Sequence, residues 1–120
     1  MSNMLTQAAR DVLAERERQR SEWGDVHDDS HPHGEMAHAA AVYCICSEGP
    51  PKPGVAWETS QSRRWDFNIL GAIWPRRWTF KPKDRRRNLV RAAALVIAEL
   101  ERIDRREAWL EDRAGDRGKA

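Results

Sequence analysis

Apolar positions recur at helical spacing in three stretches of the chain. Residues 4–20 predict a first helix: Leu5, Ala8, Ala9, Val12 and Leu13 follow the i, i+3, i+4 rhythm of one buried face. Its second half, Glu15-Arg16-Glu17-Arg18-Gln19-Arg20, is polar nearly all round, as suits a solvated helix end laced with local ion pairs. Residues 35–47 predict a second helix, with Ala39, Val42 and Cys46 on its stripe and Ile45 at the edge. The third helix, over residues 84–112, is the longest. Leu89, Ala92, Ala93, Val96, Ile97, Leu100 and Ile103 form its stripe, and Asp84 is placed to cap it. The small residues Ala92, Ala93 and Ala94 permit another helix to approach closely. Past Ile103 the helix turns charged, and Trp109 and Leu110 mark a candidate partner surface. A frayed tail is expected over residues 114–120.

Two connections separate these helices. Residues 21–34 read as a loop, punctuated by Gly24, Pro32 and Gly34, with Trp23 as an anchor onto the body or a ring for stacking on a base. Residues 49–83 are a long Trp- and Pro-rich loop, with room for a short helical turn between Trp65 and Trp74. A connection of that length in a compact domain is usually functional or disordered, and so many aromatics argue against disorder. It either covers a site or serves as an excursion or oligomer contact. No stretch shows clean period-two alternation. The expected fold class is therefore all-α: a small bundle of three main helices in a single domain over residues 1–113.

Composition narrows the function. At 120 residues the chain supports one modest core. Cys44 and Cys46 are too close together to staple a fold and are expected to be reduced and buried, in a cytoplasmic protein. The opening run MSNMLTQAARDV lacks a basic region followed by an apolar one, so no secretory signal is expected. No apolar stretch is long enough for a membrane span. A net charge of +2 does not suggest a general nucleic-acid binder, but arginines cluster at Arg63–Arg64, Arg76–Arg77 and Arg85–Arg87. Patches of that kind suit a phosphate-bearing small molecule as well as a polymer.

The chemistry concentrates in residues 25–38, DVHDDSHPHGEMAH, which contain all four histidines (His27, His31, His33 and His38) with Asp25, Asp28, Asp29 and Glu35. Carboxylates bind hard cations such as Mg²⁺, whereas imidazole suits Zn²⁺ or iron. The bland reading is an acidic, His-bearing loop that caps the next helix. Glu35 and His38 fall one turn apart on the stripe of the second helix. A carboxylate aimed at a core is costly unless paired or metal-bound, yet a first-turn glutamate also complements the helix dipole. Glu15 lies close to the face of Val12, either toward a site or as a surface carboxylate. Glu99 lies at the edge of the third stripe, either inward or paired with a neighbouring arginine. His31 and His33 have a spacing compatible with Zn²⁺ or iron. No P-loop, CxxC pair, HExxH, GxSxG or dinucleotide fingerprint is present.

The runs LAERERQRSEWGDVHDDSHPHGEMAHAAAVY and WPRRWTFKPKDRRRNLVRAAALVIAELERIDR together resemble the MazG-like, all-α nucleotide pyrophosphohydrolases of phages and prophages, more narrowly their dATP/dGTP diphosphohydrolase branch. The match covers about 60 residues, mainly 13–43 and 74–105, and leaves out the middle loop. The resemblance implies a homodimer or homotetramer that uses Mg²⁺ or Mn²⁺ to hydrolyse a (deoxy)nucleoside triphosphate, with metal held by an ExxE on one helix and an ExxD on the next. Glu35 stands at the first glutamate of that pattern and His38 at the second. Asn88-Leu89-Val90-Arg91 stands where ExxD is expected, so the metal set would be rebuilt from Asp28, Asp29, Glu35 and Glu99, or activity has been lost.

Hydrolysis of this kind needs cations to neutralise the phosphates, a group to orient water and basic side chains for the leaving group. Asp28, Asp29, Glu35 and His38 are the metal candidates. His27, Glu35 and Glu99 are the candidates for handling water, and Lys81, Arg85, Arg86 and Arg91, with Trp78 for the base, are those for substrate. The competing class is a non-catalytic helical module whose arginines and Trp residues serve a protein or nucleic-acid partner.

Overall fold

A computed structural model of the chain describes residues 4–46, 57–58, 64–65 and 67–118. Three main helices form the bundle, as the apolar spacing predicts: α1 (Gln7–Asp29), α2 (Glu35–Ile45) and, as α4, Arg85–Gly118. A seven-residue α3 (Phe67–Ile73) lies within the long connection, where a short helical turn is expected. Trp57–Glu58 (β1) and Arg64–Trp65 (β2) form a minimal antiparallel ladder, with Trp57 opposite Trp65. The remaining residues between 47 and 66, including Arg63, lie outside the described residues.

The expected loop over residues 21–34 is mostly helix. Thr6 caps α1 by accepting from the Ala9 amide at 3.1 Å, and the helix runs on to Asp29 across a kink at Gly24. At φ 81° and ψ 167° that residue takes a backbone shape that side chains disfavour, so a glycine allows the chain to turn there and resume its helix. Ser30 closes the end, its hydroxyl donating to the His27 carbonyl at 2.6 Å. Gly34, at φ 83°, starts α2. Asp84 caps α4 as predicted, accepting from the Arg87 amide at 3.0 Å. That helix continues through residues 113–118, where fraying is expected from sequence.

α4 is the spine. α1 lies parallel to it: Asp11 meets Arg86 at 2.7 Å near one end, and Asp29 meets Arg105 at 2.8 Å near the other. α2 is antiparallel to it, with Cys46 beside Asn88 and Glu35 within electrostatic reach of Arg102. The core between them is built on Ala39, Ala40, Ala92, Ala94 and Ala98, together with Met36, Val42 and Tyr43. Trp74 anchors the long connection on this core. Its ring meets Tyr43 and Phe80 at 5.6 and 5.2 Å, and its indole N–H donates to the Trp78 carbonyl at 2.7 Å. Asn88 is fully buried and ties the start of α4 to that connection, accepting from the Lys83 amide at 2.6 Å and donating to the Lys83 carbonyl at 3.0 Å.

The predicted apolar stripes need correction on two helices. Leu5, ahead of α1, and Ala8 and Leu13 on it are exposed, and the side chains that α1 buries are Arg16, Gln19 and Asp28. On α4 Ala92, Ala94 and Ala98 are buried and Ala93 is half-buried, whereas Leu89, Val96, Leu100 and Ile103 are exposed. Cys46 is buried as expected, but Cys44 is exposed. Trp23 is half exposed rather than a buried anchor.

Candidate functional site: carboxylates on an arginine frame

Beyond the Gly24 kink, α1 carries Asp25, Asp28 and Asp29 on its last turn. α2 contributes Glu35 from its first turn, and α4 contributes Glu99 and Glu101 from its middle. Arginines knit these six together. Arg16, almost wholly buried, donates to Asp28 at 3.0 Å and through Nε to Glu101 at 2.7 Å. Arg102 donates to Glu99 at 2.6 Å and feels the charges of Asp29 and Glu35. Arg105 donates to Asp29 at 2.8 Å and approaches Asp25 at 3.6 Å. Arg20 also approaches Asp25 at 3.6 Å. The bond that Arg102 donates to Glu99 holds the Arg102 pKa above its ordinary value, and the bond that Arg105 donates to Asp29 does the same for Arg105. Four guanidiniums touch five of the six carboxylates, and Glu35 is held by a backbone amide instead, so the group carries an excess of two negative charges over those guanidiniums.

A strip of four rings runs along the cluster. Trp23, His27, His31 and Trp78 follow one another at centroid distances of 4.9, 4.7 and 5.0 Å. His27 lies 3.8 Å from Asp28, and His31 lies 3.6 Å from Glu35. Burial works against the Glu35 charge. The amides of Glu35 and His33 nevertheless outweigh it, together with the nearby His31 and His33, and hold the pKa below the ordinary glutamate value. The His33 amide donates to Glu35 at 2.7 Å, so this glutamate does serve the start of its helix.

The sequence-predicted residues thus divide. Asp28, Asp29, Glu35, Glu99, His27 and Trp78 come to one end of the bundle. His38 is exposed, with its ring over Gly34. Glu99 faces inward and is paired with Arg102, which joins the two readings open from sequence. Arg86 and Arg91 stand elsewhere, in an open pocket of about 380 Å³ lined also by Asp11, Glu15, Arg18 and Arg87. Lys81 belongs to that end too: its carbonyl accepts from Arg91, which also donates to the Tyr43 hydroxyl at 3.3 Å. Arg85 opens α4 there. Arg91 and Arg102 are eleven residues apart, roughly 16 Å along the axis.

Residues that sequence reasoning passes over build the frame: Arg16, Glu101, Arg102 and Arg105. For Glu101 the sequence carries a signal, since Glu101-Arg102-Ile103-Asp104 has ExxD spacing farther along the helix than Asn88-Leu89-Val90-Arg91. Beside the frame, Asp29, Pro32, Arg102, Arg105, Arg106 and Trp109 line an open pocket of about 330 Å³.

Among the described residues no three His, Cys, Asp or Glu side chains are grouped to hold a metal ion. Each frame carboxylate leans on a guanidinium or an amide instead. The donor set itself, carboxylate oxygens with imidazole at the edge, is chemistry that suits a hard dication. Asp25 Oδ1 and His27 Nδ1, both in this cluster, are buried atoms without a hydrogen-bond partner among the described residues.

The fold and cluster define an all-α bundle with an acidic, arginine-braced centre where three helices meet. Comparison with protein-family models, with curated proteins and with solved structures gives no match. No helix among the described residues is long and apolar enough to cross a membrane.

Proposed function

We propose that this chain is a Mg²⁺- or Mn²⁺-dependent hydrolase of a (deoxy)nucleoside triphosphate, a purine dNTP foremost, which releases pyrophosphate or phosphate and works as a homodimer or homotetramer. The observation that carries the reading is the gathering of six carboxylates from three helices, with an excess of negative charge, beside a pocket that offers three arginines and an indole. In this reading Asp28, Asp29 and Glu35 hold the cation, whose part is to neutralise phosphate charge and acidify water. His27 or Glu99 orients the water. Arg102, Arg105 and Arg106 take phosphate oxygens by paired N–H donors, and Trp109 or Trp78 offers a face to the base. This assigns phosphate to the arginines of the acidic end, in place of Lys81, Arg85, Arg86 and Arg91.

A second reading has its own support. Five of the six carboxylates of the frame already accept from a guanidinium or an amide, and Asp25 lies 3.6 Å from two guanidiniums, as in a purely structural cluster. On that reading the chain is a non-catalytic module for a protein or nucleic-acid partner.

The deciding experiment is pyrophosphate and phosphate release from a panel of purine and pyrimidine (d)NTPs, with Mg²⁺, with Mn²⁺ and with EDTA. Metal-dependent release, lost in Glu35→Gln while the helical circular dichroism persists, supports the hydrolase. Silence across the panel from a folded sample, or full turnover by Glu35→Gln, overturns it.

A further inference from the structure

The Nε2 atoms of His27 and His31 face each other at 3.5 Å, with the ring planes crossing at 73°. The two residues are four apart in sequence and so share a face where α1 closes. The His31 amide donates to the Asp28 carbonyl at 3.1 Å, which keeps the chain turning just past the end of the helix. Trp23 flanks His27 and Trp78 flanks His31, at 4.9 and 5.0 Å between centroids, so an indole steadies each imidazole. Sequence spacing points to His31 with His33, but His33 is exposed and the imidazole that faces His31 is that of His27.

The other two ring nitrogens have neighbours of their own. His27 Nδ1 lies 3.8 Å from Asp28, and His31 Nδ1 lies 3.6 Å from Glu35. A carboxylate beside an imidazole nitrogen favours the tautomer that carries its hydrogen there. Both Nε2 atoms are then left with bare lone pairs, side by side. At 3.5 Å they also stand farther apart than a good N–H hydrogen bond allows. Two lone pairs so placed repel, and a cation between them turns the repulsion into two bonds. The spacing suits that role: a tetrahedral ion with Zn–N bonds of about 2.0–2.1 Å sets two nitrogens about 3.4 Å apart.

We infer that His27 and His31 form a seat for a borderline dication of the Zn²⁺ class, with Asp28 and Glu35 orienting the two imidazoles. Imidazole nitrogen prefers such an ion to Mg²⁺. Among the described residues no third His, Cys, Asp or Glu joins the pair, so water or an added ligand completes the shell. The side chains of His27 and His31 are 40 % and 18 % exposed, which gives the ion a way in from solvent. The inference goes beyond the hydrolase reading and does not depend on it. Where both hold, an ion on His27 leaves the attacking water to Glu99.

Zn²⁺ alone, titrated calorimetrically into the folded chain, tests the seat. A Cys44→Ser background removes the exposed thiol as a competitor. One equivalent should bind, and excess Mg²⁺ should not displace it. His27→Gln or His31→Gln should abolish the binding with helical circular dichroism retained, and His33→Gln, at an exposed position, should leave it intact. Heteronuclear NMR of the imidazole nitrogens needs no substitution at the site: Zn²⁺ should shift Nε2 of His27 and of His31 together. Neither heat nor ring shifts, displacement by Mg²⁺, binding that survives the loss of either histidine, or shifts confined to His33 or His38 overturns the inference. None of these outcomes bears on Mg²⁺-dependent hydrolysis of a (d)NTP, so the two readings fail separately.

Discussion

Replacing Arg16 by alanine should be the most damaging single change in this chain. The guanidinium is buried and holds two carboxylates at once, Asp28 at 3.0 Å and Glu101 through Nε at 2.7 Å. The two partners differ in what happens when it is removed. The Glu101 side chain is 38 % exposed and can turn to water, but that of Asp28 is only 8 % exposed and cannot. The variant therefore strands a buried carboxylate, a loss of about 3–5 kcal/mol. Against a total stability of about 5–15 kcal/mol this is a large share. The melting temperature should fall on the order of 10–20 °C. Urea unfolding followed by circular dichroism measures it, and the companion variant Arg16→Met, Asp28→Leu separates charge from packing. If the penalty is an uncompensated buried charge, removing both charges should recover most of the loss. A single variant within about 1 kcal/mol of the parent, or a double variant less stable than the single one, refutes the reasoning.

Other outcomes follow from the same geometry. Because the folded Glu35 pKa lies below 4.5, its contribution is fully present above pH 4.5 and is lost as pH falls through the lowered folded value. A side-chain NMR titration should place its midpoint below 4.5, and Glu35→Gln should flatten that part of the acid-unfolding profile. Burial pushes the Cys46 thiol up to about 11, so a thiol reagent should label exposed Cys44 quickly and Cys46 only at the rate of unfolding. Asn88→Ala should cost about 1–3 kcal/mol by leaving the Lys83 amide without its acceptor, measured by the same urea titration.

The helices were legible where alternation of apolar and polar residues and capping chemistry agreed. α2 ends two residues short of its predicted end, and α4 starts one residue after Asp84, its predicted cap. Residues 21–34 were misread because Gly24 and the Asp-rich composition are local loop signals. What overrides them comes from outside the segment: Arg16, twelve residues earlier on α1, and Arg105, on α4, grip Asp28 and Asp29 and favour helix there. The inward faces of α1 and α4 were misread for a related reason. Periodicity finds an apolar face but cannot say whether it meets the chain's own body or something else, and on α4 Ala92, Ala94 and Ala98 are buried while the larger Leu89, Val96, Leu100 and Ile103 are exposed. The gathering of Asp28, Asp29, Glu35 and Glu99 at one end was legible as a list of candidates. Their arginine partners were not, because an arginine in a run such as Glu15-Arg16-Glu17 reads as surface until a partner 85 positions away is known.

The alanines between α2 and α4 have a consequence for the acidic centre, to which they bring no polar group. Ala39, Ala40, Ala92, Ala94 and Ala98 are single methyl groups, and each is at most 3 % exposed. They act as shims that set how far apart the two helices lie, and hence how far Glu35 lies from Glu99 and Arg102. One added methylene in a packed interior forces backbone to move. A change as mild as Ala94→Val would therefore retune the spacing of the charged cluster from a distance, leaving every charged residue in place. The geometry of the polar site is gauged by the least polar part of the sequence.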